Sequence, residues 1–185
     1  MPPFTIAVVA VAALGLWLVP LLRMRSRNRA KTVQTIDHRA RWGVSLEAVG
    51  YLMMWASGFW NRELPLLQFA AGVALLIFGV FVSFQAAAAL GDMLRIDASL
   101  STEHRLVRRG PYRFVRHPVY SSFLCLAMGT GLLVAPWWLM GCGMVVFLCG
   151  TEIRVRVEDA LLGARFGAEF EEYRRSVAAY LPGIR

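Results

Sequence analysis

The architecture follows from the apolar run at residues 119–153, VYSSFLCLAMGTGLLVAPWWLMGCGMVVFLCGTEI. As one helix it would be about 50 Å long at about 1.5 Å per residue, whereas a bilayer core is about 30 Å thick. Pro136 stands near the middle of the run, and proline breaks or kinks helices. The run therefore predicts a helical hairpin that crosses the membrane at residues 119–134 and 137–153. Glycines at 129, 131, 141 and 143 would let the two arms approach closely.

The rest of the chain has the composition of a membrane protein. Of its 185 residues, 57% are hydrophobic and 17% are charged, and the mean hydropathy is +0.52, whereas soluble domains carry more charge. Further apolar blocks that can cross a bilayer lie at residues 4–22, 44–60 and 64–90. The first has an arginine cluster after it in place of a cleavage site, so we interpret it as a helix and not as a signal peptide. We predict an all-α polytopic protein with about five transmembrane helices, one integral membrane domain over residues 1–185.

The basic residues indicate how these helices are oriented. Segments 23–43, 91–118 and the tail after residue 153 are rich in arginine, whereas the turns at 61–63 and at Pro136 are poor in it. This alternation predicts an N-terminus outside and a cytoplasmic C-terminus, in the inner membrane if the host is prokaryotic. Tryptophan favours the headgroup region, and the residues then placed at the outer interface are Trp60, Trp137 and Trp138.

The positive charge indicates which molecules the surface of the protein can bind. The net charge is +8, and the basic residues lie between the apolar blocks, where they suit anionic lipid headgroups. The chain carries no nucleic-acid-binding motif, so a nucleic-acid partner is not expected. The cysteines lie inside apolar runs without metal-ligand spacing, and no metal site is predicted: they are Cys125, Cys142 and Cys149. The oligomeric state has no signature in the sequence.

The tail is predicted to form one or two amphipathic helices on the cytoplasmic side. Over residues 154–180 its apolar side chains recur at helical spacing, and Leu181-Pro182-Gly183 ends the pattern. The hairpin brings its own two feet together, so we expect Tyr120 and Arg154 to be neighbours in space.

A polar pocket is predicted where these feet meet, from the regions 104–120 and 154–173. Arginines can hold carboxylates in bidentate fashion, and His117 can change charge near neutral pH. Tyr112 and Tyr120 offer flat faces and hydroxyls, and Glu158 adds a carboxylate. Such a set suits a charged, ring-bearing cofactor at the membrane surface.

Simpler interpretations of the same residues stay open. Arginines beside a membrane helix are commonly topology anchors, and this is the better interpretation of Arg108 and Arg109. Arg154 and Glu158 have the spacing of an ordinary i,i+4 ion pair. An acid inside a membrane helix is a functional candidate, yet Glu47 could equally reach back to an arginine before it, Arg39 or Arg41.

The order of the motifs is more specific than any single residue. HRLVRRGPYRFVRHPVY at 104–120 is followed by RVRVEDALLGARFGAEFEEY at 154–173 and a Leu-Pro ending. This order resembles the isoprenylcysteine carboxyl methyltransferase family and the related phospholipid N-methyltransferases. The resemblance covers roughly the C-terminal half of the chain, and the first three helices match only in number and hydrophobicity.

The resemblance implies a site for S-adenosylmethionine in this half of the chain, without a Rossmann fold. It implies catalytic roles for Arg154 and Glu158, with Arg154 facing the substrate. The implied cofactor contacts are His104, Leu106, Val107, Tyr112, His117, Pro118, Tyr120 and Glu158. The chain departs from the family pattern where glycine, a second glutamate and tyrosine are common, at Ser121, Asp159 and Phe170 respectively.

The expected reaction is methyl transfer to a lipophilic acceptor from the bilayer, most like the carboxylate of an isoprenylcysteine. A phospholipid amine is a close alternative, and it would need a base such as His117 or Glu158. A small thiol is a third acceptor. More distant alternatives are an NADPH-dependent sterol-type reductase, which carries a similar RHP-x-Y block, and a non-catalytic scaffold that binds anionic lipid.

Overall fold

A computed structural model of the chain describes residues 3–27, 33–36, 39–56, 64–91, 99–101 and 106–183. Within these residues the fold is six α-helices, one 3-10 turn at Gly110–Arg113 and one pair of short strands. The helices are α1 Pro3–Arg27, α2 Arg39–Trp55, α3 Leu66–Leu90, α4 Pro118–Val134, α5 Trp137–Phe166 and α6 Ala168–Ser176. The strands are β1 Val33–Ile36 and β2 Ser99–Ser101.

The helical fold class is confirmed, and the helices are those of an integral membrane protein. By length and composition, helices able to cross a membrane among the described residues are Phe4–Arg23, Leu66–Leu90 and Trp137–Phe166. The helix α4 is apolar but shorter, and α2 has 17 residues. Five crossings therefore stay a prediction. Trp60, predicted at the outer interface, lies outside the described residues.

The short strands were not predicted from the sequence. They form an antiparallel pair in which Val33 lies opposite Ser101 and Ile36 lies opposite Ser99. The pair joins the segment before α2 to the segment after α3, and both segments belong to the predicted cytoplasmic side.

The hairpin is confirmed, but most of its glycines serve other contacts. The helix α4 ends at Ala135 in an extended conformation, and Pro136 precedes α5. A Cβ on Gly129 would lie 2.8 Å from the Gly72 oxygen of α3, while Gly141 has nothing within 4 Å. Of the four glycines, Gly131 alone meets the other arm, at Met140. Close packing of the two arms through all four glycines was therefore wrong, because α4 packs on α3 and α5 packs on α2.

The seam between α2 and α5 is built from reciprocal glycine contacts. A Cβ on Gly50 would lie 2.5 Å from the Gly143 oxygen, and one on Gly150 would lie 2.5 Å from the Gly43 oxygen. No side chain fits at such distances, so the two backbones touch directly. Small residues allow this close approach between membrane helices.

The predicted fifth span and the first part of the predicted amphipathic tail form one continuous helix, so no helix ends at residue 153. The helix α5 continues to Phe166, and Gly167 ends it with a φ of 53°. At about 1.5 Å per residue α5 is about 45 Å long, longer than a bilayer core of about 30 Å. Residues 154–166 contain no proline, and Arg154, Glu158 and Asp159 find partners inside the protein, so nothing forces a break. The separate part of the tail is α6.

Candidate active site

The site begins with a short extended segment just before α4. Val115 forms a parallel bridge with Ala178. The Arg116 amide donates to the Ala178 oxygen at 2.8 Å, and the His117 amide donates to the Ala179 oxygen at 2.9 Å. Pro118 then opens the helix, where its missing N–H costs nothing. The chain after α6 therefore fixes the backbone of His117 from one side while α4 fixes it from the other.

His117 lies between two carboxylates of α5. Its Nδ1 is 3.2 Å from Glu158 Oε2, and its Nε2 is 2.8 Å from Asp159 Oδ1. The residue is only 5% exposed. Burial lowers the pKa of His117, but the hydrogen bonds to Asp159 and Glu158 and the charges of both carboxylates raise it, to about 9. Both ring nitrogens therefore donate, and His117 is a cation at neutral pH.

Arg116 holds the outer side of this arrangement. Its Nη2 donates to Asp159 Oδ2 at 2.9 Å, and its Nη1 donates to the Val177 oxygen at 2.5 Å and the Arg174 oxygen at 3.2 Å. Asp159 thus forms ion pairs with two cations, Arg116 and His117. The sequence marked it only as a departure from the family pattern, although its place next to Glu158 was a usable signal.

Glu158 faces the other side of His117. It accepts a short hydrogen bond from the Tyr120 hydroxyl as well as the bond from His117. The Cζ of Arg154 lies 4.6 Å from the centroid of the Tyr120 ring, a cation–π distance. The predicted proximity of Tyr120 and Arg154 is confirmed.

Arg154 pairs with Glu47 of α2. Its Nη1 donates to Glu47 Oε2 at 2.7 Å, and Thr151 Oγ1 donates to Glu47 Oε1 at 2.9 Å. Glu47 is 1% exposed. Its ion pair is thus with Arg154, in place of the earlier arginines of its own helix that the sequence left open. The signal that pointed to Glu47 was an acid inside an apolar helix.

The remaining predicted cofactor residues differ in how deeply they are buried. Tyr112 is buried beside Val107, and its backbone oxygen accepts a 2.5 Å bond from the Tyr173 hydroxyl. Burial raises the pKa of Tyr112 well above its usual value, and the nearby charge of Glu158 raises it further. Pro118 is fully buried and Leu106 is half-buried. His104 lies outside the described residues.

The structure therefore brings four of the predicted residues into direct contact with one another or with a shared partner. They are His117, Tyr120, Arg154 and Glu158. Together with three residues that lie outside the predicted catalytic and cofactor-binding set, they form a row of alternating charge, which we call the charge row. Its members are Glu47, Arg154, Glu158, His117, Asp159 and Arg116, with Tyr120 between Arg154 and Glu158.

An open groove of about 610 Å³ borders one end of the charge row. It is lined by Arg116, Asp159, Arg174 and Arg175. None of the predicted cofactor residues lines this groove. Its position therefore does not support a role as the cofactor cavity. The predicted site lies on the other side of His117, where the Glu158 side chain is 26% exposed.

The chain was compared with known protein families. The model of the phospholipid methyltransferase family matches residues 67–169. The chain belongs to this family. The matched region contains nearly all of α3, the 3-10 turn, α4 and all of α5, and it includes every member of the charge row except Glu47.

Curated relatives of this family member carry a more specific name. A probable protein-S-isoprenylcysteine O-methyltransferase of Oryza sativa subsp. indica is 31% identical over 116 residues, which cover 61% of this chain and 60% of the rice protein. The protein-S-isoprenylcysteine O-methyltransferase of Schizosaccharomyces pombe is 32% identical over 89 residues, 48% of this chain and 38% of the relative. The protein-S-isoprenylcysteine O-methyltransferase of Saccharomyces cerevisiae is 33% identical over 93 residues, which cover 48% of this chain and 37% of the yeast protein. The chain thus spans at most about 60% of the length of these relatives, and the resemblance to them is confirmed.

Proposed function

We propose that the protein is an S-adenosylmethionine-dependent methyltransferase that methylates the carboxylate of a lipophilic, prenylcysteine-like acceptor. The observation that carries this proposal is the contact of His117, Glu158, Tyr120 and Arg154 at the foot of the hairpin. Membership of the phospholipid methyltransferase family and the names of the relatives support the same reaction class.

The side chains present fit the proposed cofactor, a zwitterionic nucleoside that carries a sulfonium. The partly exposed carboxylate of Glu158 suits its ammonium or hydroxyl groups, and the tyrosine rings suit its adenine. When bound, S-adenosylmethionine supplies an activated methyl group. The residues that would hold it are His104, Leu106, Val107, Tyr112, His117, Pro118, Tyr120 and Glu158.

The protonation of the site favours a carboxylate as the acceptor. His117 is a cation near neutral pH and donates from both ring nitrogens, so it has no lone pair to accept a proton. Glu158 already accepts two hydrogen bonds. An acceptor carboxylate is ionised at neutral pH and needs no base. Arg154 would orient that carboxylate, and orientation is a large part of catalysis.

A phospholipid amine is the second candidate, because the matching family is named for phospholipid methylation. An ammonium must lose its proton before it can attack, so its rate of methylation would rise with pH over the neutral range. A carboxylate acceptor would give a nearly flat rate over the same range. The pH–rate profile therefore separates the two acceptors.

The first test is calorimetric binding of S-adenosylmethionine and of NADPH to the purified protein in lipid nanodiscs. We expect the sulfonium to bind and NADPH not to bind. His117→Ala and Glu158→Ala should each abolish binding while the protein still inserts. Arg156→Gln is a control, since this arginine is 78% exposed in an ordinary ion pair with Glu152. Binding of NADPH alone would move the protein to the reductases, and wild-type binding by both alanine variants would contradict the site.

A positive result justifies a screen of acceptors. Farnesylated N-acetylcysteine, phosphatidylethanolamine and a small alkyl thiol represent the three acceptor classes. We expect measurable turnover with the first and the slowest turnover with the thiol, which offers no carboxylate to Arg154. Faster methylation of phosphatidylethanolamine than of the prenylcysteine would favour the second candidate.

A further inference from the structure

Glu47 is a buried carboxylate that the proposed chemistry does not use. It comes from α2, which lies outside the region that matches the family, residues 67–169. Both of its oxygens accept hydrogen bonds from α5, one from Thr151 and one from Arg154. A buried carboxylate is costly unless it is paired and hydrogen-bonded, and here a single turn of α5 supplies both partners.

The packing of α2 on α5 also restricts where Arg154 can go. A Cβ on Gly43 would lie 2.5 Å from Arg154 Cγ and 2.7 Å from the Gly150 oxygen. The stem of Arg154 therefore crosses α2 at Gly43, where no side chain fits. Its head then lies between the Glu47 carboxylate and the face of the Tyr120 ring.

Arg154 has a competing carboxylate on its own helix. Glu158 lies four residues further along α5, a spacing at which arginine and glutamate commonly pair. In the structure Glu158 instead accepts from Tyr120 and His117, while the ion pair of Arg154 is with Glu47. Glu47 therefore keeps Arg154 on the α2 side and leaves Glu158 to its partners at the start of α4, His117 and Tyr120.

We infer that Glu47 is a positioning residue that holds the Arg154 guanidinium where it receives the acceptor carboxylate. Through Glu47, α2 takes part in acceptor recognition, although the matched family region does not include it. This inference rests on the proposed function of Arg154. A guanidinium has five N–H donors, so the bond to Glu47 does not exhaust its capacity to bind the acceptor.

The test compares two variants on this contact with one matched control. Glu47→Gln removes the charge and keeps the shape and one acceptor oxygen. Thr151→Val removes only the hydroxyl that orients Glu47. Glu152→Gln removes the acid of an exposed ion pair on the same helix. The measurements are kcat and KM for farnesylated N-acetylcysteine and the Kd for S-adenosylmethionine.

We expect Glu47→Gln to lower kcat/KM for the acceptor at least tenfold, chiefly through KM, with the cofactor Kd changed less than threefold. Thr151→Val should lower kcat/KM for the acceptor about threefold. Glu152→Gln should leave both this kcat/KM and the cofactor Kd unchanged. An unchanged acceptor KM in Glu47→Gln overturns the inference, and so does a parallel loss of cofactor binding, which would indicate a purely structural ion pair. If Glu47→Gln does not fold, the acceptor KM of Thr151→Val decides in the same way.

Failure of the proposed function would be recognised separately. If the wild type binds no S-adenosylmethionine, the proposed function fails, and a double-mutant cycle in thermal unfolding of Glu47→Gln and Arg154→Gln tests the positioning contact alone. Non-additive shifts would support that contact. Additive shifts would overturn the positioning of Arg154 by Glu47 whatever the reaction.

Discussion

At the scale of single residues, His117 decides the electrostatics of the site. A histidine with carboxylates on both ring nitrogens is a fixed cation, and its charge balances the acids that α5 brings to the foot of α4. Without that charge, Glu158 and Asp159 would be adjacent, half-buried carboxylates with one cation fewer between them. The imidazolium therefore has a structural role in addition to its proposed role in cofactor binding.

The raised pKa of His117 makes stability depend on pH. Its pKa is about 9 in the folded protein and about 6.5 in an unfolded chain. The stabilisation is therefore fully present below pH 6.5 and is lost as the pH rises through 9, by about 3 kcal/mol at most. We expect the thermal midpoint of the protein in nanodiscs to fall between pH 7 and pH 9.5. His117→Gln should have a lower midpoint that varies less over this range, and equal slopes in both proteins would contradict the assignment.

Removing either of two buried tyrosine hydroxyls separates an effect on cofactor binding from an effect on stability. Tyr120 donates to the Glu158 carboxylate of the proposed site, whereas Tyr173 donates to the backbone oxygen of Tyr112 and is not itself a proposed cofactor contact. Each phenylalanine variant should lower the thermal midpoint, since each leaves a buried acceptor with one bond fewer. We expect Tyr120→Phe to weaken S-adenosylmethionine binding about tenfold and Tyr173→Phe to leave it within twofold. Equal effects on binding, measured by calorimetry, would place the hydroxyl of Tyr120 outside the cofactor site.

The sequence predicted which residues meet at the foot of the hairpin better than it predicted all of their partners there. His117, Tyr120 and Glu158 are recognisable because their motifs have a fixed order along the chain. Arg154 was found by the same order, but its ion-pair partner Glu47 is more than 100 positions away in the chain. No spacing rule predicts such a pair, because it depends on how closely α2 packs against α5.

At the scale of elements, the close packing of α2 against α5 determines where the charged side chains of the proposed site lie. Glycine at both sides of each contact allows the backbones to touch, and the charge row crosses from one helix to the other at this point. The hairpin was predictable because Pro136 interrupts an overlong apolar run. The true partners of its arms were not, since glycines show that a close approach occurs but not which helix approaches.

Gly150 and Gly141 form a matched pair of tests on α5. A Cβ on Gly150 would lie 2.5 Å from the Gly43 oxygen and 2.7 Å from the Glu47 nitrogen, whereas Gly141 has nothing within 4 Å. We expect Gly150→Ala to destabilise the protein by roughly 1–3 kcal/mol, because α2 and α5 must separate. Gly141→Ala should be neutral or slightly stabilising, since alanine has the higher helix propensity. Similar thermal midpoints for the two variants would show that the seam is not tight.

At the scale of the whole molecule, the apolar surface and the basic segments determine how the protein lies in the membrane. Large side chains such as Leu67, Phe78 and Trp138 are exposed on the outside of the helices, as lipid contact requires. The charge row, by contrast, lies among the basic segments predicted for the cytoplasmic side. A soluble cofactor could thus meet an acceptor anchored in the bilayer.

The predicted orientation can be measured directly. A fluorescent protein that folds only in the cytoplasm, fused after α6, should be fluorescent, and alkaline phosphatase at the same place should be inactive. A fusion after α3 should behave in the same way, because the segment that follows is basic. Active phosphatase at either place would invert the topology and put the site on the outer face.

The bonds between the segment before α4 and the residues after α6 have a consequence for biosynthesis. His117 leaves the ribosome long before Ala179, the residue that accepts its amide hydrogen. This strand-like pairing can therefore close only after residues 178 and 179 have left the ribosome. The backbone around His117 in the proposed site is therefore completed only after the residues that follow α6 have been synthesised.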